Sequence, residues 1–156
     1  MKSKKALGVD YGDFSIGLAI FDVDTDFIYP YKTISRAKDN VLRKSLREII
    51  DIIKLENITD IVIGLPLNLD GSAGERVDKV RYFAGMLETK VNAMVDEKTG
   101  AETIAIHFQD ERLSTKEARS LLRKHGIKKE DEKMYIDQVA AEIILQDYRS
   151  VVYKKL

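Results

Sequence analysis

Apolar residues follow two rhythms along this chain, and the rhythms predict the order of its elements. Ala6-Leu7-Gly8-Val9, closing on Asp10, and Ile16–Phe21, after the turn Tyr11-Gly12-Asp13, read as strands over about Lys5–Asp10 and Ser15–Asp22. A third strand is expected over roughly Phe27–Ile34. Pro30 lies inside it, and a proline gives no N–H to a ladder, so this strand belongs at a sheet edge. From Asn40 to about Leu55 the period lengthens to that of a helix. Val41, Leu42, Leu46, Ile49, Ile50, Ile52 and Ile53 gather on one half, and Arg43, Lys44, Arg47, Asp51 and Lys54 take the other. Asp60–Pro66 is a β-branched run without polar alternation, the mark of a strand covered on both faces. The loop Asn68–Gly74 leads to a second helix, striped by Val77, Val80, Ala84, Leu87 and Val91. After a turn at Glu97–Gly100, a strand over Thr103–Phe108 ends in Gln109-Asp110-Glu111-Arg112. A helix over Lys116–Lys124 follows, capped by Ser114 or Thr115, then a charged loop, Gly126–Lys133. The last helix, about Tyr135–Arg149, sets Ile136, Val139, Ala140, Ile143 and Ile144 on one face.

The early strands stand close enough for antiparallel hairpins, whereas the later ones are separated by helices and should be parallel. The expected fold is α/β, a mixed five-stranded sheet with helices on its faces. At 156 residues the chain suits one domain, 1–156, with a sizeable core. The absence of cysteine excludes disulfides, thiolate metal sites and cysteine nucleophiles. Lys plus Arg and Asp plus Glu are both 26, so a polyanionic partner must be held by local basic stripes rather than a global field. No apolar run reaches membrane-spanning length, and the basic start runs into a strand rather than a signal-peptide core. The expectation is a cytoplasmic protein that does not engage a membrane.

Candidate chemistry begins with Asp10, a charge at the end of a strand that reads as buried. Such a carboxylate is costly unless paired, hydrogen-bonded or bound to metal. Asp110 and Glu111 end the last strand, and Asp137 falls in the first turn of the expected last helix, next to the small Ala140 and Ala141. Ligand sites in open sheets gather at the carboxyl ends of strands. Carboxylates converging there repel one another unless a hard cation neutralises them, and Mg²⁺ or Mn²⁺ suits all-oxygen ligands. Two such ions about 3.5–4 Å apart can activate a water and stabilise a leaving oxygen in phosphodiester cleavage. Singly, each acid has a plainer reading: Asp137 as a charge complementing the helix dipole, and Asp110 or Glu111 as a solvated strand end or a partner of Arg112.

Four stretches together resemble the YqgF (RuvX) family. They are Leu7-Gly8-Val9-Asp10-Tyr11-Gly12 with Ile16-Gly17-Leu18-Ala19; Gly64-Leu65-Pro66-Leu67-Asn68-Leu69-Asp70-Gly71-Ser72; Asp110-Glu111-Arg112-Leu113-Ser114-Thr115-Lys116-Glu117-Ala118; and Asp137 through Gln146. They occur in the family's order and span nearly the whole chain. The resemblance implies a ribonuclease H-like fold related to the RuvC Holliday junction resolvases, and a metal-dependent nuclease of the bacterial cytoplasm. The family is assigned to Holliday junction resolution and, in later assignments, to the 5′ end of pre-16S ribosomal RNA. It implies catalytic acids at Asp10, at the Asp110-Glu111 pair and at Asp137. Either member of the pair can be the ligand; Glu111 shares its strand face with Ala105, His107 and Gln109, Asp110 with Ile104, Ile106 and Phe108, and Glu111 is favoured. The expected metal ligands are thus Asp10, Glu111 and Asp137, with Mg²⁺ or Mn²⁺ as cofactor. The chain departs from the family in one place. Members commonly carry Lys or Arg after the Asp-aromatic-Gly motif, where this chain has Asp13-Phe14-Ser15. That phosphate contact is either missing or shifted to backbone N–H groups near Gly12.

Other groups are candidates for nucleic-acid contact. Lys116, Arg119 and Arg123 fall within about 60° of helix circumference, beside the Asp110-Glu111 corner. Asn68 stands in a loop before a helix start, a place suited to anions, and Arg76 and Lys79 lie in that helix's first turn. Arg112 can hold a phosphate bidentately or pair with Asp110. A solvated basic face and an ordinary connector are the competing readings of these groups. His107 reads as a packing residue and His125 as a surface one.

The leading expectation is therefore a two-metal nuclease acting on structured RNA, with ribosomal precursor particles among its partners. Resolution of branched DNA is the first alternative. A non-catalytic RNA-binding ribosome-assembly factor is the second. A phosphotransferase of the actin-like class is disfavoured because such enzymes need two related domains. A monomer and a homodimer both remain open, a four-way junction favouring the dimer.

Overall fold

In a computed structural model of the protein, residues 4–36, 42–68, 70–97, 103–111 and 115–153 are described. Five strands form one mixed sheet. β1 (Lys5–Tyr11), β2 (Ser15–Asp22) and β3 (Phe27–Ser35) make an antiparallel meander; β4 (Ile58–Pro66) and β5 (Ala105–Glu111) join on the other side of β1, parallel to it and to each other. The order across the sheet is β3-β2-β1-β4-β5. β3 is an edge, as Pro30 predicts, and its register with β2 slips beside that proline.

Helices cover both faces. α1 (Leu42–Glu56) and α2 (Glu75–Glu97) lie on one face, where Leu46, Ile49, Val80, Phe83 and Leu87 bury against Leu7, Val9, Leu18 and Ile63. α4 (Glu132–Val152) lies on the other, packing Ala141, Ile144, Leu145 and Tyr148 against Ala6, Ala19, Phe21 and Val62. α3 (Thr115–Lys124) packs beside α4. Residues 61–65 of β4 are buried throughout, because helices stand on both sides of it. Among the described residues no helix is long and apolar enough to cross a membrane.

Of the boundaries that differ from the sequence reading, two bear on the acids. β5 does not stop at Phe108. Its ladder with β4 runs on to the pair Pro66–Glu111, so polar Gln109-Asp110-Glu111 belong to the strand. Hydrophobic periodicity fades there because β5 is an edge strand with one flank open to solvent. The stretch Gly126–Lys133 is not all loop: a 3-10 turn over Lys129–Asp131 feeds α4 directly at Glu132. Exposed polar residues and the exposed Met134 disguise that first turn. Asp137 therefore sits in the second turn of α4, not the first, which removes the plain reading of it as a charge at a helix start.

Candidate active site

Strand alternation and three glycines set the geometry of the acids. Asp10, at the carboxyl end of β1, points to the α4 face with Gly8 and Ala6. β4 runs between β1 and β5, so an acid on β5 must reach across it, about 10 Å of sheet. Gly64 makes that reach available. A Cβ at Gly64 would meet Oε2 of Glu111 at 2.6 Å and Cδ1 of Ile144 at 2.5 Å. Glu111 therefore lays its longer arm over the bare backbone of β4 and hydrogen-bonds Asp10. The two strand-end acids divide by face as alternation requires. Glu111, with His107 and Gln109, lies on the Asp10 face. Asp110 alternates away with Ile106 and Phe108 and is exposed.

Gly17 brings in the third acid. It pairs with Asp10 across the β1–β2 ladder, and a Cβ there would lie 1.9 Å from the backbone oxygen of Asp137. The second turn of α4 thus rests directly on β2 beside Asp10. Ser15, two residues earlier on the same strand, donates its Oγ–H to the Asp137 carboxylate. Sequence reading passed over Ser15, Gly17 and Gly64. A glycine inside an apolar strand is a signal for close approach, and three were present, Gly8, Gly17 and Gly64.

Burial dominates the electrostatics. Desolvation pushes Glu111 up to about 9, helped by the charge and hydrogen bond of Asp10 and by Asp137, and opposed by Arg76. Desolvation also raises Asp10 to about 6, with Asp137 adding to the rise and the Glu111 hydrogen bond and Arg76 opposing it. Both carboxyls are thus raised by burial, and the pair shares a proton between them. As they stand, no three Asp, Glu or His side chains among the described residues form one metal-ligating group. The donor set nevertheless suits a hard cation: oxygen-only groups, half-buried, and raised first by burial and then by neighbouring charge.

Around the acids the charges are divided. On one side, Arg76 and Lys79 of the first turns of α2 line a small cleft with Tyr11, Gly12 and Asp13 of the β1–β2 turn, and Lys79 reaches Asp13 at 3.5 Å. The Gly12 N–H already closes that turn onto the Ser15 carbonyl at 2.9 Å. A cation absent from the Asp-aromatic-Gly motif itself arrives from the end of β3. Arg36 donates Nη1 to the Gly12 carbonyl at 2.9 Å and lies over the Tyr11 ring, 4.9 Å from its centroid. On the other side, between β5 and α4, is a cleft of about 440 Å³ carrying Asp110, Glu111, Glu117 and Asp147. Burial and the charge of Glu117 hold the Asp147 carboxyl above its usual range.

The sequence profile of the RuvX family, described as Holliday junction resolvase, matches residues 4–150. The chain belongs to the RuvX family. Relatives of the chain carry the name "Putative pre-16S rRNA nuclease". One, from Maridesulfovibrio salexigens, is 38% identical over 92% of this chain and 96% of its own length. Another, from Carboxydothermus hydrogenoformans, is 39% identical over 92% of this chain and 94% of its own. Among solved structures, Thermus thermophilus RuvC superposes with a TM-score of 0.57 at 8% identity, covering 94% of this chain and 96% of that one. RuvC from the same organism in complex with a Holliday junction substrate gives 0.56 at 13% identity, covering 96% of each chain. The RuvX chain thus has the ribonuclease H-like fold.

The remaining predicted contacts distribute unevenly on the RuvX fold. Asn68 is engaged in its own loop: its amide donates to Ser72 Oγ at 2.9 Å, and its N–H to the Ser72 carbonyl at 3.0 Å. Lys116, Arg119 and Arg123 are exposed on α3, with Arg119 3.9 Å from Glu132. Arg112 lies outside the described residues. His107 packs on the Tyr148 ring and hydrogen-bonds buried Asp60 at 3.0 Å. His125 sits at the surface and ties α3 to Glu142, a buried acid of α4 that the sequence reading missed, at 3.0 Å.

Proposed function

We propose that the chain is a cytoplasmic endonuclease, dependent on Mg²⁺ or Mn²⁺, that processes the 5′ end of pre-16S ribosomal RNA. Asp10, Glu111 and Asp137 are its cation ligands, and Arg76 and Lys79 hold the phosphates beside them. The observation that carries this reading is the carboxyl pair over Gly64: Glu111 reaches across β4 to Asp10 in a site where burial raises both, with Asp137 in Coulombic reach. An acid pair kept protonated chiefly by burial is short of one positive charge. When one or two divalent ions are bound, they supply Lewis-acid polarisation of the phosphate and a water of lowered pKa.

The chain's own residues do the rest. The proton that Asp10 and Glu111 share would be displaced by a bound cation, so cation affinity would rise with pH. Ser15 holds the Asp137 carboxylate in place beside Asp10, where it would be available to a cation. Arg76, exposed at the start of α2, lowers both inner acids and stands where a phosphate oxygen of the substrate would lie. The acidic cleft on the far side repels the backbone, so the strand enters from the side of Arg36, Arg76 and Lys79.

A 5′ fragment of pre-16S RNA with Mn²⁺ or Mg²⁺ tests the reading. Wild type is expected to cleave it, and Asp137→Asn to lose at least about a hundredfold in rate, beyond the usual effect of a supporting residue. RNA binding without cleavage, and without Mn²⁺ binding at millimolar concentration, would replace the enzyme with a non-catalytic RNA-binding factor. A second reading, resolution of four-way DNA junctions, rests on the description of the family profile itself.

A further inference from the structure

The β1–β2 turn carries a feature that neither the acids nor the core uses. Phe14 is 85% exposed, the most exposed large apolar side chain among the described residues. A single exposed apolar residue normally needs no explanation. The backbone around this one is unusually constrained. The Gly12 N–H donates to the Ser15 carbonyl at 2.9 Å, and the Arg36 N–H donates to the carbonyl of Phe14 itself at 2.9 Å. Arg36 also clamps the Gly12 carbonyl and covers the Tyr11 ring. Ser15, the next residue, is hydrogen-bonded to Asp137. The ring is therefore fixed at its root and open at its face, four positions from Asp10, on a turn flanked by Arg36 and Lys79. Other exposed aromatics lack this setting: Phe27 begins the edge strand at the opposite end of the β2–β3 hairpin, and Tyr82 lies on the outer side of α2.

We propose that Phe14 is a stacking platform for an unpaired nucleobase of the RNA, one that flanks the phosphodiester held at the acids. An aromatic side chain offers a flat face to any base, and cations beside it neutralise the adjoining backbone. Because the backbone that carries the ring is already fixed, only side-chain freedom is lost when the base arrives. The consequence is selectivity for a single-stranded or splayed nucleotide next to the cut, with little preference for which base it is. This rests on the nuclease reading above and names the substrate feature that its site selects.

The test uses pre-16S 5′ fragments with 2-aminopurine placed in turn at each position flanking the cleavage site, bound to full-length Asp10→Asn protein. At one position the fluorescence is expected to be quenched on binding. Adding Phe14→Ala should abolish that quenching and weaken binding on the order of ten- to a hundredfold, while Phe14→Trp should retain both. In the cleaving protein, an abasic nucleotide at that position should raise KM as much as Phe14→Ala does. The two changes together should cost no more than either alone. If wild type cleaves but no position couples to Phe14, the stacking inference is wrong and the nuclease reading stands. The stacking inference is equally overturned if Phe14→Ala slows intact and abasic RNA to the same extent. If wild type neither binds nor cleaves the RNA, the nuclease reading falls and the inference falls with it.

Discussion

At the scale of residues, the site is governed by where two carboxyl groups can go. Asp10 cannot leave the end of a buried strand, and Glu111 reaches it only across Gly64. Both are pushed up by burial, Asp10 to about 6 and Glu111 to about 9. A carboxyl group raised in the folded state holds a proton that the unfolded chain has already released, so its contribution to stability falls as pH rises. The metal-free protein should therefore lose thermal stability from about pH 4, where unfolded acids ionise, up to about 9. Melting temperatures of metal-free wild type and Glu111→Gln at pH 5.5 and pH 9 check this. The variant should show the smaller drop, and equal drops would remove the pair as the cause. Sequence alone isolates Asp10, because a charge after Leu7-Gly8-Val9 is conspicuous. It only leans to Glu111 over Asp110, because which face of β5 meets which face of β1 is a fact of register across an intervening strand.

At the scale of elements, α4 makes the site by pressing onto glycines. Gly17 takes the backbone of Asp137, Gly8 takes Leu145 and the Ala141 carbonyl, and Gly64 takes Ile144 and Glu111. Gly17→Ala puts a methyl group into backbone at 1.9 Å, so helix or strand must shift. The expected cost is about 2–3 kcal/mol in chemical denaturation, with cleavage lost as Asp137 moves. Gly85→Ala is the matched control. Nothing lies within 4 Å of that position in the middle of α2, and removing a helical glycine should add up to about 1 kcal/mol. The strands and the first helices were readable because their burial is one-sided or complete, and periodicity reports both. The start of α4 and the end of β5 were not, since each is polar and partly solvated, and what continues them is a ladder or a 3-10 turn rather than an apolar stripe. Misplacing the start of α4 is what made Asp137 look like a helix-terminal charge.

At the scale of the whole molecule, a chain of zero formal net charge must sort its charges to hold a polyanion. Arg36, Arg76 and Lys79 lie on one flank of the acids and the acidic cleft on the other. Arg76→Ala should weaken RNA binding and lower the slope of log affinity against log salt by about 1. Substitutions of Lys116 or Arg123 on α3, farther round the surface, should change that slope less if α3 is a solvated face. An equal loss would extend the RNA path over α3. The family profile names one substrate and the curated relatives another, and both are nucleic acids cut at a phosphodiester. Cleavage of a pre-16S 5′ fragment and of a synthetic four-way DNA junction, side by side under the same Mg²⁺ or Mn²⁺, with wild type and Asp10→Asn, bears on both the site and the substrate. Wild type is expected to cut the RNA in preference to the junction, and Asp10→Asn, folded as judged by circular dichroism, to cut neither. Full activity in Asp10→Asn would contradict the site, and cleavage of the junction alone would contradict the substrate.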